Sequence, residues 1–128
     1  MKNILFVILL VFSSCGEKNN EIDQNDQIIG KWSLVNVMAG FSPSEIYDKG
    51  VILWEFTSEN QILVEINKEL NQSSNVPLNR NGTYKYELIE NIINIKDIAY
   101  EYYLDNGHLI LSHQEVSDGP RLEFIVAD

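Results

Sequence analysis

From residue 28 to residue 128, apolar side chains recur at every second position within short segments that turn-forming residues separate. A period of two places alternate side chains on opposite faces of an extended strand, whereas a helix needs a period near 3.6. The alternation predicts eight strands, each with one apolar face. They are expected at about 30–39, 51–57, 61–68, 82–89, 92–97, 99–104, 108–114 and 121–127.

The connections between these segments are short and rich in turn residues. Residues 58–60, 90–91, 105–107 and 118–120 are typical of hairpins, which join strands that are neighbours in a sheet. Strands with a single apolar face need a cover, and a sheet that closes on itself supplies one and leaves no open edge. The sequence therefore predicts an all-β fold, an eight-stranded antiparallel up-and-down β-barrel.

Three segments depart from the regular pattern. In the first strand, adjacent apolar residues at 34–35 and at 37–38 predict a β-bulge. Long loops are expected at 40–50 and 69–81, and both should lie on one rim because successive connections of a meander alternate between its two ends. Within the first of these loops, residues 42–47 are predicted to form one helical turn.

The N-terminal segment has the character of a secretory signal. Lys2 precedes nine uninterrupted apolar residues at 4–12. Nine residues are too few to span a bilayer, which takes about 20, but they match the apolar core of a signal peptide. Small residues then precede Cys15, the only cysteine, in a pattern that resembles the lipobox of bacterial lipoproteins. The alternative is an ordinary signal peptide followed by a free or buried cysteine.

The lipobox resemblance implies three regions. Residues 1–14 are the lipoprotein signal peptide, and residues 15–27 are the lipidated Cys15 with a polar, flexible tether. Residues 28–128 are the barrel domain. The implied location is the cell envelope, anchored by lipid in the outer membrane with the barrel on its periplasmic or surface face. The membrane is then a partner through the lipid on Cys15.

A short motif opens the first strand. Gly30, Lys31 and Trp32 resemble the Gly-x-Trp signature that begins the lipocalin barrel, in which the Trp closes the barrel floor and a late Arg packs across its ring. The resemblance implies barrel-closing roles for Gly30, Trp32 and Arg121, the last through cation–π attraction. Trp32 also fits an ordinary core aromatic residue. The chain is shorter than animal lipocalins and lacks their second motif and C-terminal helix, so no ligand follows from the resemblance.

The charge balance and the polar residues exclude several functions. Nine Lys and Arg against 19 Asp and Glu give a net charge of −10, which argues against nucleic acid as a partner. His108 and His113 are five residues apart on one predicted strand, so they should lie on opposite faces. The sequence has no ligand spacing for a metal, no phosphate loop and no nucleophile elbow. We therefore expect no enzyme activity, no catalytic residue, no metal and no cofactor.

Aromatic residues on the inward faces are the candidate ligand-binding set. A barrel of eight strands is either filled by its side chains or holds one small ligand. In the hollow form, a non-enzymatic binding protein would bury a small apolar or amphipathic molecule against these rings. In the filled form, the long loops would bind another envelope protein. The predicted lining residues are Trp54, Phe56, Tyr84, Tyr86, Tyr100 and Tyr102.

Overall fold

The computed structural model describes residues 27–40, 42–113 and 120–128. These residues form nine strands, all joined in antiparallel pairs. Eight of the strands begin and end within two residues of the predicted bounds in the described part of the chain. The strands are β1 Gly30–Met38, β2 Glu45–Ile46, β3 Ile52–Phe56, β4 Gln61–Ile66, β5 Gly82–Ile89, β6 Ile92–Ile95, β7 Ile98–Asp105, β8 His108–His113 and β9 Arg121–Val126.

The sheet closes on itself to form a barrel. From β3 to β9 each strand pairs with the next one along the chain, and β1 pairs with both β3 and β9. In the closing seam Trp32 lies opposite Val126 and Leu34 opposite Phe124. The predicted eight-stranded antiparallel up-and-down barrel is therefore confirmed.

The predicted β-bulge in β1 is also confirmed. The register of β1 against β9 shifts between Leu34 and Asn36, so Val35 is the extra residue. Because the bulge inserts one position, Leu34 and Val37 are both fully buried although they are three positions apart, an odd spacing that would put them on opposite faces of a regular strand. The bulge thus explains the broken alternation, because it lets both apolar residues face the interior.

The prediction of a helical turn at 42–47 is wrong. Residues 45 and 46 instead form β2, which places Val37 opposite Glu45 and Asn36 opposite Ile46. The cause lies in β3, which pairs only with the first four residues of β1, from Gly30 to Ser33. The second half of β1 would otherwise leave backbone donors and acceptors without partners, and β2 supplies them.

The barrel has two distinct ends, which we call the floor and the rim. The floor carries the start of β1 and the hairpin turns at 57–60, 90–91 and 106–107. The rim carries the two long connections, 39–51 and 67–81, and the turn at 96–97. At the floor, the Trp32 side chain donates a hydrogen bond of 2.8 Å from Nε1 to the Ile28 carbonyl oxygen, and Ile28 is buried.

The interior between these ends is filled with large side chains. Trp54 contacts Phe124, with ring centroids 4.9 Å apart, and Phe56 meets Tyr86 edge-on at 5.5 Å. At the rim, Val76 and Leu78 from the connection 67–81 are buried in the same core. The barrel is therefore closed at the floor by Trp32 and at the rim by its own loop.

Candidate functional site

Five of the six predicted lining rings are part of this core. Trp54 is 0% exposed and Tyr100 is 1% exposed, and Phe56, Tyr86 and Tyr102 are buried as well. A cavity large enough for a water molecule would leave its wall atoms accessible, so these rings pack against one another and not around open space. Their role as ligand contacts stays a prediction, and it would require the core to open.

The hydroxyl groups of the interior tyrosines serve the fold. Tyr86 donates a hydrogen bond of 3.0 Å to the Thr57 carbonyl oxygen, and Tyr102 donates one of 3.1 Å to the Glu90 carbonyl oxygen. Both acceptors lie in floor turns, which are thereby held to the strands. Burial raises the pKa of Tyr100 to about 12, because the phenolate would lose its hydration there. The interior tyrosines are thus neutral structural groups at ordinary pH.

Tyr84 differs from the other five rings. It is half-buried at the rim end of β5, and its hydroxyl donates a hydrogen bond of 2.9 Å to the Arg80 carbonyl oxygen. The Lys96 ammonium nitrogen lies 4.8 Å from the centroid of its ring, within range of a cation–π attraction. Of the predicted lining set, Tyr84 is therefore the ring that reaches the protein surface.

The two long loops meet at the rim, as predicted. The Tyr47 and Ser74 hydroxyls are hydrogen-bonded at 3.1 Å, and the Asn75 backbone N–H points at both carboxylate oxygens of Glu45, at 3.0 and 3.2 Å. Tyr47 also donates a hydrogen bond of 3.0 Å to Glu45. Burial is the main cause that raises the pKa of Tyr47. These contacts fasten the connection 67–81 over the barrel end.

The connection 67–81 lines an open polar cavity, which we call the rim cavity. Its volume is about 800 Å³, within the usual range for small-molecule sites. Two cations, Lys68 and Arg80, contribute to its wall. Apart from these, the wall is made mainly of side-chain amides, those of Asn67, Asn71, Gln72, Asn79 and Asn81.

A second cavity, which we call the side cavity, opens beside Tyr84. Its volume is about 560 Å³, and its wall includes Tyr84, Lys85, Asn94 and Lys96. Arg80 lies in the long loop 69–81, which the sequence predicts as a binding region, but the alternating pattern does not single out the lysines at 68, 85 and 96 as ligand contacts. The signal was present: four of the nine Lys and Arg residues lie between 68 and 96 of a strongly acidic chain.

Of the three predicted barrel-closing residues, Gly30 and Trp32 lie at the floor, whereas Arg121 lies at the rim end. Gly30 begins β1 with a φ of 131°, a conformation that side-chain-bearing residues rarely adopt. Trp32 closes the floor, but the structure does not bring Arg121 to its ring. Arg121 lies opposite Met38, at the far end of β1, and donates a hydrogen bond of 3.2 Å to the Tyr103 hydroxyl on the outer face. The expected Arg–Trp contact is therefore wrong, because β9 meets β1 with Arg121 at the rim end and Val126 at the Trp.

The two histidines lie on opposite faces, as predicted. His108 contacts the Glu123 carboxylate on the outer face, with Nδ1 and Oε1 2.7 Å apart. His113 packs edge-on against the Tyr100 ring, with centroids 6.1 Å apart. Among the described residues, no group of three or more His, Cys, Asp or Glu side chains is arranged to hold a metal ion.

The predicted signal peptide, Cys15 and nearly all of the tether lie outside the described residues. No helix in the described part of the chain is long and apolar enough to cross a membrane. No protein-family model matches the chain, and no curated protein matches it in sequence. The function must therefore be argued from the barrel and its rim.

Proposed function

We propose that this chain is a lipid-anchored, non-enzymatic binding protein of the cell envelope with a lipocalin-like barrel, and that it binds another envelope component through its rim. The observation that carries the proposal is the contrast between the packed barrel interior and the open rim. The interior rings are packed, with Trp54 fully buried, whereas a cavity of about 800 Å³ opens in the rim loop. A filled barrel gives a rigid support for the rim loops.

The envelope assignment is supported by the N-terminal pattern. The apolar run at 4–12 and the small residues before Cys15 are typical of a lipoprotein signal, and the barrel begins only at residue 28. Several acyl chains on Cys15 would hold the protein at the membrane durably without a membrane-spanning helix. The rim is at the opposite end of the barrel from the start of β1, where the chain enters the barrel.

The test uses the full chain purified from membranes. Mass spectrometry of the N-terminal peptide should find Cys15 modified with lipid, and Cys15→Ser should lose membrane attachment. The protein, isotope-labelled for NMR, is then titrated with the aqueous and the lipid fractions of its own envelope. We expect the aqueous fraction to shift the signals of residues 67–81, and the interior methyl groups of Ile62 and Ile93 to stay unchanged.

A second candidate function is the hollow cup for a small apolar ligand. It is favoured by two buried polar atoms, Trp54 Nε1 and His113 Nδ1, which have no hydrogen-bond partner and could orient a ligand. Entry would require the buried Val76 and Leu78 side chains to move out of the barrel. Saturable binding of the apolar dye N-phenyl-1-naphthylamine to the wild-type chain, with shifts of the interior methyl groups, would favour this function over the rim.

A further inference from the structure

The cations of this acidic protein are concentrated beside the rim. The whole chain carries a net charge of −10 with only nine Lys and Arg residues. Four of these nine line the two cavities: Lys68 and Arg80 line the rim cavity, and Lys85 and Lys96 line the side cavity. Three acids share the walls, so the two linings together have a charge of 4 − 3 = +1. The rim cavity lining accounts for this +1 and the side cavity lining is neutral, on a chain whose net charge is −10, and this local excess of positive charge favours an anionic ligand at the rim cavity.

Polar side chains of the rim cavity make hydrogen bonds to the backbone and still keep donor or acceptor groups for a ligand. The Asn81 Oδ1 atom accepts a hydrogen bond of 2.6 Å from the Ile66 backbone N–H, and Asn67 donates one of 2.9 Å to the Gly50 carbonyl oxygen. Each bond occupies one end of an amide and leaves the other end without a hydrogen bond in the described part of the chain. The amides of Gln72 and Asn79 make no side-chain hydrogen bond within the described part of the chain. The wall therefore offers both donors and acceptors, as a polyhydroxylated ligand requires.

Tyr84 lies between the two cavities. It lines the side cavity, and its hydroxyl is bonded to the backbone of Arg80, which lines the rim cavity. Its half-exposed ring offers an apolar face beside the charged groups. The two cavities are therefore neighbours, with one aromatic surface where they meet.

The lysine beside the Tyr84 ring, Lys96, belongs to a turn whose backbone is strained. Lys96 and Asp97 connect β6 to β7 with φ values of 48° and 64°, the left-handed region that a two-residue type I′ hairpin requires. Asn-Gly is the usual sequence there, and a Lys and an Asp cost conformational energy. Such strain concentrates at functional sites. The Lys96 ammonium group lies over the Tyr84 ring, and both residues of the turn line the side cavity.

From these observations, and resting on the rim function proposed above, we propose that the two cavities bind an acidic oligosaccharide. The four cations bind its carboxylates, the amides bind its hydroxyl groups, and a sugar ring packs its C–H face on Tyr84. An apolar peptide fits poorly, because Ile66 and Leu70 are the only aliphatic residues in the rim cavity wall among the described residues.

The binding test compares three probes on the full chain in detergent micelles, by calorimetry and NMR. Tri-galacturonate carries carboxylates and hydroxyls, maltotriose carries hydroxyls alone, and tri-glutamate carries carboxylates on a peptide. We expect tri-galacturonate to bind and to shift signals of residues 67–81, Tyr84 and Lys96, and each of the other probes to bind at least about tenfold more weakly. Equal binding of maltotriose would overturn the role of the cations, and equal binding of tri-glutamate would overturn the saccharide. Failure of all three would overturn the site.

Three variants locate the site. Arg80→Ala removes a cation from the rim cavity and Lys96→Ala removes one from the side cavity, and each should weaken tri-galacturonate binding about tenfold. Lys31→Ala makes the same charge change on the outer wall and should change the affinity by less than about twofold. A loss that is equal in all three variants would show a general charge effect and overturn the proposal. Unfolding temperatures are compared to show that each variant is folded.

The same preparation separates this inference from the envelope function. Lipid on Cys15 without binding of tri-galacturonate would overturn the oligosaccharide site and leave the anchored protein. Binding without lipid on Cys15 would support the site and overturn the lipid anchor.

Discussion

Leu78 provides the sharpest test of the closed rim. It belongs to a long connection and not to a strand, yet its side chain is 0% exposed and packs in the barrel core. If the connection 67–81 is a permanent part of the fold, Leu78→Ala should cost as much as a substitution deep in a core. Truncation of a buried Leu to Ala costs about 2–5 kcal/mol, from the lost burial and the cavity left behind. We therefore expect the free energy of unfolding to fall by about 3 kcal/mol.

The measurement is urea unfolding of the full chain, followed by tryptophan fluorescence. With a dependence of about 1–3 kcal/mol per molar urea for a small protein, the midpoint should fall by about 1–3 M while the slope stays constant. The thermal midpoint should fall by roughly 12–24 °C for a domain of this size.

Two controls make the result interpretable. Leu70→Ala removes the same atoms from a half-buried position of the same connection and should cost roughly half as much. Ile46→Ala changes a side chain that is 78% exposed and should cost no more than about 0.5 kcal/mol. If Leu78→Ala costs as little as Ile46→Ala, the connection is not part of the core, and the argument for a filled and closed barrel fails.

Three further substitutions test other parts of the molecule. Glu45→Gln weakens the carboxylate contacts to Asn75 and Tyr47. Hydrogen exchange of the 67–81 backbone amides should then speed up severalfold, while the free energy of unfolding changes by only about 1 kcal/mol. Unchanged exchange would contradict the role of Glu45 in fastening the connection 67–81. Trp32→Phe removes the hydrogen bond to the Ile28 carbonyl oxygen and should cost about 1–3 kcal/mol in urea unfolding, and a neutral result would show that the floor does not depend on that bond. For Tyr100, burial raises the pKa to about 12 in the folded state, against 10.0 for an exposed tyrosine. The neutral hydroxyl therefore contributes its full stabilisation of the folded state below pH 10, and about 2–3 kcal/mol of the free energy of unfolding should be lost as the pH rises from 10 to 12. Tyr100→Phe should remove this part of the alkaline loss of stability.

The barrel could be predicted because its strands and turns are specified by residues that are close together in the sequence. Alternation along β3, β4, β5 and β9 fixes which side chains point inward, and short turns fix which strands are neighbours. Even the bulge at Val35 is visible as two adjacent apolar pairs in β1. These features depend on residues close together in the chain, so a single sequence reveals them.

The errors concern contacts between distant residues. Nothing near residues 45 and 46 shows that they pair with β1, because that pairing depends on where β3 starts. The Arg121–Trp32 contact required the register of β9 against β1, which depends on the bulge. The choice between a hollow and a filled interior depended on two loop residues, Val76 and Leu78, that fall outside the alternating pattern. Topology was therefore predictable, whereas the state of the interior was not.

The orientation of the barrel follows from where the chain enters it. If Cys15 carries lipid, as proposed, the 12 residues from 16 to 27 lead to Ile28 at the floor, and the floor would be the end tied to the membrane. Fully extended, 12 residues reach about 40 Å, which limits how far the barrel can move from the bilayer. The rim cavity lies at the other end, because the strands of a meander place alternate connections on opposite ends. A ligand held at the rim would thus face away from the anchoring lipid, where a soluble or cell-wall saccharide can reach it and a membrane lipid cannot without the barrel turning over.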